Sequence, residues 1–274
     1  MSSYHFSHAL GYTLEQISEM HNASFQGYFM PVEMTPEMTA DFSRVNTIDA
    51  LRSVIMHDEA GTFVGMARMG TRGNRGWCGG FGIVPAFRGS GASRLLAEQM
   101  VRVAREGGLA TLQLEVLTQN ERARRLYERV GFTVTRRLFG LEIAPAALPD
   151  GVPVQVERVA VESLLFRLMG GVQPCWGCEP ATILAVPGEA LVIPGSNGQL
   201  SGVIVQRGQR VSILASFFDS KLTDAKLAAL LRQAAGEASG LVVYNEPEES
   251  PCLARYRALG FGEFFSQYEM LLTL

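Results

Sequence analysis

A stretch near the middle of this chain recurs near its end, and that repetition constrains the fold more than any other feature. Leu126-Tyr127-Glu128-Arg129-Val130-Gly131-Phe132 aligns with Arg255-Tyr256-Arg257-Ala258-Leu259-Gly260-Phe261, sharing Tyr, Gly and Phe at identical spacing. In both copies a helical pattern stops at a glycine and an aromatic residue opens a strand. The elements preceding the two copies also come in a similar order, abbreviated in the second half, which implies an internal repeat of a whole domain. A length of 274 residues agrees, because single cores stop growing near this size and chains divide.

Periodicity supplies the elements. In the first half it predicts a helix over 12–27 with Thr13 as its cap, a loop with Tyr28, Phe29 and Pro31, a helix from Thr35 to 45 and a short one over 48–52. Strands follow over 53–57, 62–69 and 76–84, the first two flanking the turn Asp58-Glu59-Ala60-Gly61. A helix over 92–106 carries Leu95, Leu96, Met100 and Val103 on one stripe. A buried strand over 112–117, a helix over 121–130 and a strand over 132–139 complete the half. Residues 144–153, APAALPDGVP, read as a linker. Beyond it come strands over 190–193, 200–206 and 210–215, a helix over 223–238, a strand over 241–245, a helix over 250–259 and a last strand over 264–272. The expected class is α+β: two domains, 1–145 and 152–274, each with a mixed, largely antiparallel sheet flanked by helices.

Chemistry concentrates in the first half. In Val84-Pro85-Ala86-Phe87-Arg88-Gly89-Ser90-Gly91-Ala92-Ser93 a strand ends, two glycines turn the chain and a helix begins, so unpaired amides face outward at the positive end of the helix dipole. That geometry suits pyrophosphate. The segment resembles motif A of the GNAT superfamily of N-acetyltransferases, R/Q-x-x-G-x-G/A, with Arg88 first, Gly91 fourth and Ser93 in the place of the last small residue. Leu114-Glu115-Val116-Leu117-Thr118-Gln119-Asn120-Glu121-Arg122-Ala123-Arg124-Arg125-Leu126-Tyr127, followed by Gly131-Phe132, is similar to motif B of the same family. The two motifs stand in the family's order within about residues 10–140.

The resemblance implies a tandem member of that family and an acetyl-CoA site. In it the amides of Arg88, Gly89, Ser90, Gly91, Ala92 and Ser93 hold the pyrophosphate, and the backbone of Ile83 and Val84 pairs with the pantetheine arm. Asn120 bonds the arm, Ala123 makes room for it and Tyr127 stands near the sulfur. The residues taken alone leave other readings open: Asn120 as a helix cap and Tyr127 as packed core. Tyr127 is the candidate acid for the leaving thiolate, and a backbone N–H near Val84 the candidate donor to the thioester carbonyl. Glu115 is either a carboxylate on a solvated or arginine-covered face or the general base for the incoming amine. Phe25, Tyr28, Phe29 and Phe81 are the candidate acceptor contacts. The acceptor is expected to be a small amine. A protein N-terminal acetyltransferase of the alanine type and a non-catalytic acyl-CoA sensing module are the competing readings.

Composition bears on partners. A net charge of −3 disfavours general nucleic-acid binding, yet residues 1–149 carry 15 basic against 14 acidic side chains and residues 150–274 carry 9 against 13, so the first half suits a polyanionic ligand better. The second half, reading ILASFFDSKLTDAKL over 213–227, lacks a glycine loop and is expected to be a degenerate copy that holds no CoA. Cys175 and Cys178 have the spacing of a zinc or redox half-site, but no second pair accompanies them, so neither metal nor disulfide is expected. The absence of a long apolar run or a leader-like start points to a cytoplasmic protein, off the membrane, as a monomer or homodimer.

Overall fold

The structure, a computed structural model, describes residues 4–30, 32–195 and 198–274, so Pro31 of the aromatic loop lies outside the described residues. The chain forms two compact units, one of Met1–Thr135 with Tyr268–Leu274, the other of Arg136–Gln267. The expected linker at 144–153 does not coincide with this division.

The first unit comprises β1 (Tyr4–His8), α1 (Leu14–Phe25), α2 (Pro36–Val45), β2 (Val54–Asp58), β3 (Phe63–Arg72), β4 (Arg75–Ile83), α3 (Ala92–Glu106), β5 (Thr111–Leu117) and α4 (Glu121–Arg129). Local chemistry sets the helix starts. Thr13 Oγ1 accepts the Gln16 N–H while the Gln16 side chain accepts the Thr13 N–H, a reciprocal cap, and Thr35 caps α2 through the Met38 N–H. The short helix expected over 48–52 is absent: Ile48 forms a bridge to Gly70, and Ser53 and Arg52 amides return to the Asp49 carbonyl in a turn. β1 was not expected; its residues are at most half-buried and lack a strong alternation.

Within this unit β1 to β4 pair antiparallel in chain order, and β4 pairs with β5 in parallel. Residues from Tyr268 onward, the end of a long last strand, lie on the other side of β5. The alternation of β3 serves both faces of the sheet. Ala67 and Met69 pack with Leu96 and Met100 of α3, while Met66 packs with Ile17 of α1. Leu95, expected on the buried stripe of α3, is 40% exposed; the buried face is Leu96, Met100, Val103 and Ala104. Met270 and Leu272 complete this core.

The second unit contains most of β6 (Thr133–Ile143), then β7 (Glu157–Val159), α5 (Leu165–Leu168), α6 (Pro180–Ala185), β8 (Gly188–Pro194), β9 (Leu200–Gln206), β10 (Val211–Phe217), α7 (Asp224–Ala235), β11 (Leu241–Pro247), α8 (Pro251–Ala258) and the beginning of β12 (Gly262–Thr273). β7 to β10 pair antiparallel in chain order, β10 and β11 pair in parallel, and β6 lines the other side of β11 in antiparallel register. Both units are therefore mixed, mostly antiparallel sheets with one internal parallel pair, as the repeat requires.

Candidate active site

The parallel register of β4 and β5 runs from Arg75 opposite Thr111 to Cys78 opposite Leu114 and stops there, leaving the last residues of β4 without a partner on the β5 side. Val84 donates its N–H to Val64 O on β3, at 3.0 Å. Alternation then turns the N–H and carbonyl of Ile83 away from β3, toward the open side. The expected carbonyl donor near Val84 is thus not Val84's own amide.

After β4 the chain makes a tight turn, and Gly89 and Gly91 hold left-handed backbone angles, φ +87° and +91°, that disfavour any side chain. Gly91 caps α3 without a side chain. Of the six amides expected to form a cradle, those of Arg88, Ser90 and Ala92 already bond to Pro85 O, Phe87 O and Ser90 Oγ. Those of Gly89, Gly91 and Ser93 have no protein partner among the described residues, and they open at the positive end of a 15-residue helix. A Cβ built on Gly91 would meet nothing within 4 Å, so its space is free. The site can therefore accept a diphosphate.

The Arg88 side chain does not point into the cradle as a charge. Its guanidinium donates to Ile83 O at 2.9 Å, Ser24 O at 3.2 Å and Gln26 O at 2.7 Å, bracing the end of β4 against the end of α1. Arg122, one residue into α4 and exposed, instead lies beside the loop, with a guanidinium nitrogen 3.9 Å from a Cβ position on Gly89. The motif assigns Arg122 no role. Its signal was a cation in the turn that follows the Asn120 cap.

Asn120 does cap α4, its Oδ1 accepting the Ala123 N–H at 3.2 Å, and its side chain also engages the Tyr28 hydroxyl. Tyr28 meets Phe25 and Phe29 edge-on, at 5.3 and 5.4 Å between ring centres. Phe29 itself is 55% exposed. Tyr127 is buried and meets Phe81 edge-on at 5.6 Å, which sets the phenol against the unpaired stretch of β4. Burial, reinforced by the nearby Cys78 and Tyr28, holds its hydroxyl well above the usual value near 10, so it is a protonated donor at neutral pH. The structure thus gathers Ile83, Phe81, Tyr28, Asn120, Ala123 and Tyr127 around the parting of β4 and β5, with Gly89, Gly91 and Ser93 at the end of the helix that follows.

Glu115 lies on the other face of β5. Leu112, Leu114 and Val116 are buried while Thr111, Gln113 and Glu115 are half-buried, as alternation predicts. The Trp77 indole N–H donates to Glu115 Oε2 at 2.6 Å, and the Trp77 ring rests where a Cβ on Gly79 would collide with it. Trp77 in turn stacks on Phe42, 6.0 Å between centres. This support was not foreseen, since nothing in the sequence pairs residues 38 positions apart.

In the second unit β10 and β11 also part after Ile213 and Val243, and a cavity of about 280 Å³ opens there, lined by Phe217, Asn245, Glu246 and Cys178 among others. Tyr256, fully buried, bonds to the Ser216 hydroxyl. Before α7 no glycine turns the chain; Thr223 caps the helix through the Lys226 N–H, and the Asp219 and Lys221 amides are bonded. Neither Cys175 nor Cys178 is in a disulfide, and among the described residues no group of three or more His, Cys, Asp or Glu is placed to hold a metal ion. No helix of the described residues is long and apolar enough to cross a membrane.

Comparison with known proteins sets this geometry in context. Residues 14–132 match the model of the acetyltransferase (GNAT) family. Over 125 residues the chain is 30% identical to a mycothiol acetyltransferase of Propionibacterium freudenreichii subsp. shermanii, a match covering 44% of this chain and 40% of that protein. A GCN5-related N-acetyltransferase from Sphaerobacter thermophilus superposes with a TM-score of 0.73 at 14% identity, over 98% of this chain and 95% of that one. A tandem GNAT protein from the clavulanic acid biosynthesis pathway does so with a TM-score of 0.67 at 14% identity, over 100% and 98%. At such identities the likeness to the two structures is one of fold.

Proposed function

We propose that the first unit, whose residues 14–132 match the model of the acetyltransferase (GNAT) family, transfers an acetyl group from acetyl-CoA to an amine, by direct attack with both substrates bound. The observation that carries this reading is the coincidence of two features where β4 and β5 part: open amides at Gly89, Gly91 and Ser93, and the buried phenol of Tyr127 against the unpaired strand.

The three amides hold the diphosphate, with Arg122 adding a cation at its edge. Ile83 and the free edge of β4 bond the pantetheine arm as they would an added strand, and Asn120 and Ala123 border it. The bound thioester supplies an acetyl group already activated for transfer. Glu115, held by the Trp77 N–H, takes a proton from the incoming ammonium, whose ordinary pKa of roughly 8 to 10 leaves it mostly charged at neutral pH. Tyr127 returns a proton to the departing sulfur. Phe25, Tyr28, Phe29 and Phe81 border the acceptor, a small molecule. The second unit keeps the parted strands and the tyrosine but lacks the glycine turn before its helix α7, and on that ground it is read as holding no diphosphate.

Two measurements test this. Ser93→Glu places a carboxylate at the first turn of α3, where it favours the helix but repels a diphosphate, and Gly91→Glu adds bulk as well. Calorimetry should find CoA binding lost in both folded variants; retained affinity places the CoA site elsewhere. In thiol-release assays Tyr127→Phe should lower turnover by roughly 10- to 1000-fold at unchanged CoA affinity. Glu115→Gln should lower it mainly near neutral pH, where the amine still carries its proton. Wild-type turnover in both variants would remove both assignments.

A further inference from the structure

Arg68 on β3 is a charged side chain only 2% exposed. Its guanidinium donates to the Met34 sulfur at 3.2 Å and to Ser43 Oγ at 3.3 Å, and lies 4.3 Å from the centre of the Phe42 ring. No carboxylate lies within ion-pair distance of it among the described residues. Other sheltered arginines are provided for differently: Arg52 has Asp49 and Gly107 O, and Arg136 has Glu249 and Gln173 O. Burial lowers the Arg68 pKa to about 10, which still leaves it cationic at neutral pH. The neighbouring His21 adds no negative charge; burial and the Arg68 charge push its pKa down to about 4. A buried cation is costly unless an anion offsets it. A thioether and a hydroxyl are poor substitutes.

The position of this cation matters as much as its isolation. Its methylenes run 3.7 to 4.0 Å from a Cβ position on Gly80, a β4 residue beyond the point where pairing with β5 ends. Phe42 carries Arg68 on its face and stacks on Trp77, which bonds Glu115. Cation, two rings and carboxylate thus form one path of contacts, with Arg68 at one end and Glu115 at the other.

We propose that the acceptor is an amine that carries its own carboxylate, as an amino acid does, and that Arg68 binds that carboxylate. The inference rests on the acetyltransferase reading and names its substrate class. A guanidinium presents two parallel N–H groups to a carboxylate, so the acceptor replaces the Met34 sulfur with a forked ion pair. The amine then extends toward Glu115. Met34 closes over the site on a segment that Asn22 holds by two hydrogen bonds, Nδ2 to Met34 O at 3.0 Å and Met34 N–H to Oδ1 at 2.8 Å.

The test compares amino acids with the amines left by their decarboxylation: lysine with cadaverine, arginine with agmatine, tyrosine with tyramine. For the pair that is used, kcat/KM for the carboxylated member should exceed that of its partner at least about 100-fold, since a site built around a polar group rejects the analogue lacking it. Arg68→Met, of similar length and without the charge, should erase that preference mainly through KM, leave CoA affinity unchanged and not lower the melting temperature. Arg68→Lys should restore part of the preference. Equal use of the decarboxylated amines, or a preference that survives in Arg68→Met, overturns the proposal. If CoA binds but no acceptor releases thiol, the acetyltransferase reading fails. Calorimetry of the same panel on the CoA-loaded protein then decides Arg68 separately: amino-acid binding lost in Arg68→Met sustains its role, and no binding refutes it.

Discussion

His21 is buried to 4% exposure in α1, its Nε2–H donating to Val32 O at 2.9 Å and its ring stacked on Phe25. Its pKa is lowered to about 4 from an ordinary 6.5, first by burial and then by Arg68. The unfolded chain therefore takes up a proton that the folded chain refuses, so stability is full above pH 6.5 and declines as the pH falls from there toward 4. The loss amounts to about 3 kcal/mol at most. His21→Gln keeps an N–H donor for Val32 O and removes the titration. Melting curves of the two proteins should converge below neutrality, the wild type losing more between pH 7 and 4.5; parallel curves would show that His21 does not titrate in that range. Residues of this kind were not legible in the sequence, because a lone histidine or arginine on a helix or strand declares neither its depth nor its neighbours. Gly89, Gly91, Asn120 and Tyr127 were legible, since a turn, a cap and an aromatic after a fixed interval are local signals. Even so, Arg88 was read for its place in the motif, and only the fold reveals that its side chain serves three carbonyls rather than the cradle.

At the scale of elements, the helices were the most legible part. α3 begins and ends where its apolar spacing and flanking glycines put it, and α1, α2 and α4 have the caps that Thr13, Thr35 and Asn120 offered. The misreadings come from elements held by tertiary contacts. β1 has half-buried residues and is fixed by pairing with β2, from Tyr4 opposite Asp58 to His8 opposite Val54, which no local pattern announces. Ile48 looked helical by spacing but pairs with Gly70, and Thr47 before it takes φ +53°, a conformation that ends the preceding helix. β6 runs to Ile143, four residues past the expected strand end, because its second part is paired along β11, with Ile143 opposite Leu241 and Leu141 opposite Val243. Strand length was thus set by a partner about a hundred positions away.

At the scale of the whole molecule the repeat was legible, while the assignment of its last strands was not. Reading each half as closed by its own final strand gave domains of 1–145 and 152–274, whereas the compact units assign 136–143 of β6 to the second and Tyr268–Leu274 to the first. The first unit therefore depends on the end of the chain. Met270 is fully buried and Leu272 is 6% exposed in its core, Thr133 Oγ1 donates to Leu271 O, and Leu274 N–H donates to Ala110 O. Burying two such side chains contributes about 1.5 to 3 kcal/mol each, a large fraction of a domain's net stability. A chain of 1–149 lacks them and leaves the far side of β5 as an open edge, which invites aggregation. A chain of 1–135 joined by a flexible linker to 268–274 retains them. We expect the linked chain to be monomeric, to melt cooperatively and to bind CoA as the full chain does, and 1–149 to aggregate or melt at least several degrees lower, on the scale of about 2–4 °C per kcal/mol for a domain near 150 residues. Residues 136–143 offer a competing strand in 1–149. If that chain proves as stable and as tight for CoA as the linked one, they have taken the place beside β5, and the requirement for Tyr268–Leu274 is refuted.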